Sequence, residues 1–187
     1  PLAIAGGSQT ICQTGSATVS GASAPNGGTI SWTHNGTGTL SNTTTLTPTY
    51  TPTAADAGNT VTLTMTVTSN NTCGSATALA YYSVSVIAAP TATAGGSSDI
   101  CYSSGGTATV SGATAANGTI AWAENGSGSI TSGATTLTPT YTAVAGDVGL
   151  TRTLNMTVSN GYCPNATATY SVNEYAMPTA SAGGSKT

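Results

Sequence analysis

Residues 60–68 read Thr-Val-Thr-Leu-Thr-Met-Thr-Val-Thr, so that Val61, Leu63, Met65 and Val67 alternate with threonine over nine positions. Strict period two with β-branched residues on the polar side predicts a strand buried on one face. The pattern returns at Leu154, Met156 and Val158. Shorter runs flank it in the first half at SATVSG (16–21), around Ile30 and Trp32, at TLTPTYT (45–51) and at YYSVSV (81–86), each with a counterpart in the second half. The pairs Asn26-Gly27, Asn35-Gly36, Asn117-Gly118 and Asn125-Gly126 separate the runs and suit tight turns with positive φ. No segment carries a helical stripe. Short strands divided by turns every ten or so residues predict an all-β sandwich of about seven strands per repeat. A first strand is expected over the PLAIAG region, and the buried faces should carry Val19, Ile30, Trp32, Leu46, Tyr50, Leu63, Met65, Val67 and Val84.

The two halves are copies of one another. Cys12 matches Cys101, Trp32 matches Trp122, Tyr50 matches Tyr141, Asp56 and Gly58 match Asp147 and Gly149, Met65 matches Met156, and Cys73 matches Cys163. PLAIAGGS at Pro1 recurs as PTATAGGS from Pro90 and PTASAGGS from Pro178. A period near 90 is a whole domain rather than a solenoid unit, which predicts domains over 1–89 and 90–177 and a third copy starting in 178–187. The expectation is a fragment of a longer tandem array.

Composition removes most chemistries. The 187 residues include 40 Thr and 22 Ser, but only 2 Lys+Arg, 5 Asp+Glu and 1 His, for a net charge of −3. General acid–base catalysis, oxygen-rich metal cages and phosphate clamps all need ionisable groups that this chain hardly has. No enzyme, no cofactor and no nucleic-acid partner are expected. No apolar run is long enough to cross a bilayer, so membrane insertion by this segment is not expected either.

Four cysteines allow three pairings, and the repeat favours Cys12 with Cys73 and Cys101 with Cys163, one bridge inside each domain. Zinc would want Cys-x-x-Cys pairs or nearby histidines, which are lacking. Disulfides imply an oxidising compartment: secreted, periplasmic or cell surface. Trp32 and Trp122 each sit two residues after an Ile in a period-two strand, which places them, with Tyr50 and Tyr141, in the cores. Exposed stacking platforms for sugar are the alternative. Asp56-Ala57-Gly58 and Asp147-Val148-Gly149 follow a tyrosine by six residues and precede the strongest strand, so the Asp is expected to cap backbone N–H groups of a turn. One carboxylate per domain is too few for calcium.

Other candidates are weak. His34 is replaced by Glu124 in the second copy and has no evident nucleophile partner, so it reads as a turn residue. Arg152 takes the place of Val61 and is expected at a strand end with its stem over apolar surface. Lys186 lies in the third-copy segment, so neither domain can form a Lys–Asn isopeptide bond. Seven Asn-x-Ser/Thr sequons are near chance in so Ser/Thr-rich a chain, and the Thr-x-Thr arrays that could suggest ice binding are what β-propensity produces on a solvated face. Tyr81 and Tyr82 face a single Tyr170 in the second copy, which leaves one tyrosine of the first copy for the surface.

The succession AGGS, Ile-Cys, ATVSGA, NGTI-x-W, NG-x-G, TLTPTYT, Asp-x-Gly, a Thr-alternating strand, Cys and a terminal YSV resembles the tandem immunoglobulin-like (PKD-like) repeats of giant Bacteroidota cell-surface adhesins that serve gliding motility. The resemblance covers essentially the whole chain. It implies an immunoglobulin-like sandwich, type IX secretion, display on the outer surface of a Gram-negative bacterium, and a non-enzymatic stalk role. The implied partners are neighbouring repeats of the same chain, a surface or polysaccharide ligand, and the gliding machinery through the parent protein. The alternative function is a carbohydrate-binding accessory module of a secreted protein.

Overall fold

The computed structural model describes residues 1–71, 74–102, 106–181 and 183. The chain divides into two compact units, the first formed by Pro1–Ala89 with Gly161–Pro164 and the second by Pro90–Asn160 with Asn165–Thr187.

The first unit contains β1 (Gly7–Cys12), β2 (Ala17–Thr18), β3 (Thr29–His34), β4 (Thr39–Ser41), β5 (Thr49–Thr51), β6 (Thr60–Thr68) and β7 (Thr77–Ile87). A four-stranded sheet runs β1-β7-β6-β3 and a three-stranded sheet β2-β5-β4. The Thr-alternating strand is the centre of the larger sheet: β6 pairs antiparallel with β3, Trp32 opposite Met65, and with β7, Leu63 opposite Tyr82. Its odd residues are all buried, and with Trp32, Tyr82, Val84 and Val86 they meet Ala17, Val19 and Tyr50 of the smaller sheet in one apolar cluster. Two faces of alternating residues closing on each other make an immunoglobulin-like sandwich.

The second unit repeats the plan with β8 (Thr91–Thr93), β9 (Ser97–Cys101), β10 (Thr107–Thr109), β11 (Thr114–Ala116), β12 (Thr119–Glu124), β13 (Ser129–Ser132), β14 (Thr140–Thr142), β15 (Thr151–Ser159) and β16 (Ala166–Tyr175). Its sheets run β12-β15-β16-β9 and β10-β14-β13, with β8 and β11 as a separate pair. Nine strands replace the expected seven because β8 and β11 make a three-residue ladder where the first unit has only the single bridge Ile4–Ser23.

That difference explains the AGGS motif. In the first unit the chain touches Ser23 at Ile4 and then crosses to the other sheet, where β1 runs parallel to β7 from Gly7 opposite Tyr82 to Cys12 opposite Ile87. The first strand therefore lies over Gly7–Cys12 rather than over PLAIAG. Gly6 and Gly7 make the crossing with φ of 87° and 132°, a region closed to ordinary residues. Leu46 also departs from expectation: β5 is only three residues long, so the alternation of Tyr50 does not extend back to Leu46, which is exposed. Ile30 is partly buried and packs against the core cluster.

The crossing gives a prediction. A Cβ at Gly6 would lie 2.6 Å from the Ser20 carbonyl oxygen, whereas one at the equivalent Gly95 meets nothing within 4 Å. Gly6→Ala should destabilise the first unit by about 2 kcal/mol, and Gly95→Ala should cost the second unit well under that, as read by chemical denaturation of each variant.

Candidate functional site

The only polar side chains buried outright are carboxylates: Asp56, Asp147 and Glu174 among the described residues. Two of them are the centres of the same device. Tyr50 lies mid-β5 with its ring in the core, and its hydroxyl donates to Asp56 Oδ2 at 2.7 Å while accepting the Gly38 N–H at 2.9 Å. Asp56 closes the 3₁₀ turn Ala54–Asp56 and also accepts the N–H groups of Thr37 (2.8 Å) and Thr53 (2.9 Å) and the Thr37 hydroxyl (3.0 Å). The Thr37 and Thr53 hydroxyls are themselves hydrogen-bonded. One carboxylate thereby joins the β3–β4 loop, the β5 strand and the turn before β6.

The second unit repeats this with Tyr141 donating to Asp147 Oδ2 at 2.6 Å, and Ser127, Gly128 and Val144 N–H groups donating to the same carboxylate. It adds a cation: Arg152 Nε lies 2.8 Å from Asp147 Oδ1, and its Nη2 donates to the Gly146 carbonyl. Arg152 is the second residue of β15, at the strand end expected of it, and its guanidinium reaches the buried aspartate.

Burial alone would raise both aspartates. For Asp56 the Thr37 and Thr53 N–H groups and the Tyr50 hydroxyl outweigh it and hold the carboxyl well below its usual range. For Asp147 the Tyr141 hydroxyl and the N–H groups of Ser127, Val144 and Gly128 do the same, from 3.8 down to about 2. Burial, then the bond to Asp56, pushes the Tyr50 hydroxyl up to about 12, and Tyr141 rises for the same reasons.

The Asn-Gly-x-Gly sequence is what lets this corner close. Gly36 and Gly38 do not take positive φ as the turn chemistry suggested; a Cβ at Gly36 would lie 2.1 Å from the Tyr50 hydroxyl and one at Gly38 2.2 Å from the Thr51 carbonyl oxygen. Gly126 and Gly128 stand in the same relation to Tyr141 and Thr142. Asn35 and Asn125 accept the N–H groups of Thr62 and Thr153. Gly58 and Gly149 are the opposite case, with φ of 78° and 79° and open space around them.

Trp32 and Trp122 are 3% and 8% exposed, and each indole N–H donates to a loop carbonyl, Thr45 at 2.9 Å and Thr136 at 2.8 Å. Neither offers a free stacking face. Tyr82 is buried and Tyr81 is 61% exposed on the outer face of β7. His34 closes β3 half-buried, its ring centroid 5.1 Å from that of Tyr50, and its Nδ1 has no hydrogen-bond partner among the described residues. Among the described residues no three His, Cys, Asp or Glu side chains gather as a metal site.

Glu174 has no counterpart in the first unit, where Val86 fills the place. It is 2% exposed, neither carboxyl oxygen has a hydrogen-bond partner among the described residues, and burial followed by the Asp147 charge raises its pKa, partly offset by Arg152. A small cavity beside it is lined by Gly149, Leu150, Thr151, Asn173 and Tyr175.

The cysteines contradict the same-repeat pairing. Cys12 is bonded to Cys163, their Cα atoms 4.9 Å apart and 151 residues apart in sequence; Cys101 is free and exposed, and Cys73 lies outside the described residues. The cause is positional. Cys12 ends β1 opposite Ile87, and Gly161–Pro164, although part of the second repeat in sequence, packs into the first unit with Cys163 Sγ 3.5 Å from the Ile87 carbonyl oxygen. Closing so long a loop removes about 5 kcal/mol of chain entropy from the unfolded state.

No family model and no curated protein matches the chain. Among solved structures it is similar to Drosophila N-cadherin EC1-4, with a TM-score of 0.54 and 10% identity over 91% of this chain and 47% of that one. It is also similar to human CDH23 EC21-23, with a TM-score of 0.50 and 13% identity over 91% of this chain and 67% of that one. The chain thus spans about half the length of the N-cadherin structure. Similarity at this identity establishes the sandwich fold.

Two predictions follow from the carboxylates. Tyr50→Phe leaves Asp56 short of a donor and the Gly38 N–H without its acceptor, and should cost the first unit about 2 kcal/mol in denaturation. The pH responses of the two kinds of carboxylate have opposite sign. The depressed aspartates stabilise above 3.8, and acid titration should show that stability disappearing as pH falls towards 2. Glu174, with its folded pKa raised above 4.5, penalises the second unit increasingly as pH rises above that value, so Glu174→Val should raise its melting temperature at pH 7 and much less at pH 4.

Proposed function

We propose that the chain is a non-enzymatic structural segment of a large cell-surface adhesin, of the kind its sequence resembles in the gliding-motility adhesin SprB. In this reading the protein is exported by type IX secretion, displayed on the outer surface of a Gram-negative bacterium, and carried by the gliding machinery through its parent chain. The repeats form a stalk that supports attachment to surfaces.

The observation that carries the reading is where the scarce ionisable groups go. Asp56 and Asp147 each hold loops through a Tyr–Asp joint that is duplicated, Arg152 is added to that joint in the second copy, and His34 is not duplicated at all. An enzyme keeps its special groups at one reactive centre; a spacer keeps them at every copy. Surfaces of threonine and serine depend little on salt or pH, which suits a tether in open water. The carbohydrate-binding alternative is favoured by exposed tyrosines, foremost Tyr81, whose equivalent in the second copy is Thr169, with Tyr162 and Tyr175 exposed as well.

The test is attachment. Beads carrying many copies of the chain, presented to glycans, polysaccharides and bare glass, should show no saturable binding that Tyr81→Ala abolishes. Saturable, Tyr81-dependent binding to one glycan class would replace the stalk with the lectin reading.

A further inference from the structure

Cys12 and Cys101 hold the same place in the two copies. Each is the last residue of the strand after AGGS, and that strand runs parallel to the final strand of its unit, with Cys12 opposite Ile87 and Cys101 opposite Tyr175. In the first unit this place is filled. Cys12 is buried and bonded to Cys163, and the loop Gly161–Pro164 that carries Cys163 comes from the next repeat of the sequence. In the second unit the same place is open. Cys101 is a free, exposed thiol, and Tyr175, its partner in the strand pair, is exposed, as is Met177 two residues on.

We infer that Cys101 is the attachment point for a following repeat, whose loop cysteine, equivalent to Cys163, forms a disulfide with it. Each repeat would then be bonded to the next one through the strand-end cysteine of the earlier copy and the loop cysteine of the later copy. The step needs a disulfide oxidant, for which a small-molecule disulfide such as oxidised glutathione serves. The Cys101 thiolate attacks one of its sulfurs and releases one thiol; the loop thiolate then attacks the Cys101 sulfur of the mixed disulfide and releases the second. Two protons and two electrons leave the protein thiols and reduce one disulfide. The exposed Tyr175 and Met177 would be covered by the incoming loop. The inference rests on the array reading and adds to it a covalent link between successive repeats.

The test joins residues 1–177 to a second full copy of the chain, with Cys73→Ser in the leading copy and Cys101→Ser in the trailing one. After oxidation in a glutathione buffer and peptic digestion without reduction, mass spectrometry should find Cys101 of the leading copy linked to Cys73 of the trailing copy, which the sequence aligns with Cys163. In the single chain Cys101 should be alkylated and Cys12 linked to Cys163; in the fusion alkylation of Cys101 should be lost. Alkylated Cys101 in a fusion that retains its Cys12–Cys163 links would overturn the inference while leaving the array reading standing. Cys101 linked to Cys163 within one copy would overturn it as well.

Discussion

A carboxylate with no access to water organises each unit. Asp56 and Asp147 are stable as anions only because four hydrogen-bond donors converge on each from three separated segments, the Asn-Gly-x-Gly loop, the tyrosine strand and the turn before the central strand, with Arg152 of the central strand added at Asp147. Moving any one of these segments leaves a buried charge undersolvated. The tyrosine hydroxyl adds a second constraint, because it fills the space that a side chain at Gly36 or Gly126 would need. With no Phe and few large aliphatic residues, the cores are thin, and this polar joint supplies the fixed geometry that packing alone would leave loose.

The two units use the same joint with different surroundings. In the second, Arg152 in place of Val61 brings a cation onto Asp147, and Glu174 in place of Val86 puts another carboxyl into the same end of the sandwich. The pair is linked electrostatically, since Arg152 partly offsets both the desolvation of Glu174 and its repulsion from Asp147. The second unit therefore gathers three ionisable side chains at this end where the first has Asp56 alone.

Much of this was legible in the sequence. The alternation at 60–68 located the central strand, and the Tyr-x5-Asp-x-Gly spacing marked the joint from both of its ends. The purpose of Asn-Gly-x-Gly was misread because an Asn-Gly pair signals a turn by backbone conformation, while Gly36 and Gly126 are needed for the room they leave to a hydroxyl contributed from another strand. Arg152 was legible only as a strand-end replacement of Val61, and nothing in linear spacing shows that it and Glu174 both approach Asp147. The cysteines were the most ambiguous signal. Pairing within each repeat and pairing shifted by one repeat preserve the sequence symmetry equally, so only the placement of Gly161–Pro164 distinguishes them.

The shifted bond changes how the chain responds to load. Pulled from its ends, an oxidised chain keeps the 151-residue interval between Cys12 and Cys163 closed, leaving 36 of the 187 residues to extend. Pairing within each repeat would close intervals of 61 and 62 residues and leave 64. Single-molecule force extension of the oxidised chain is the most direct measurement. At about 3.5 Å per residue the account predicts a total extended length near 130 Å, rising several-fold after reduction; about 220 Å before reduction would contradict it.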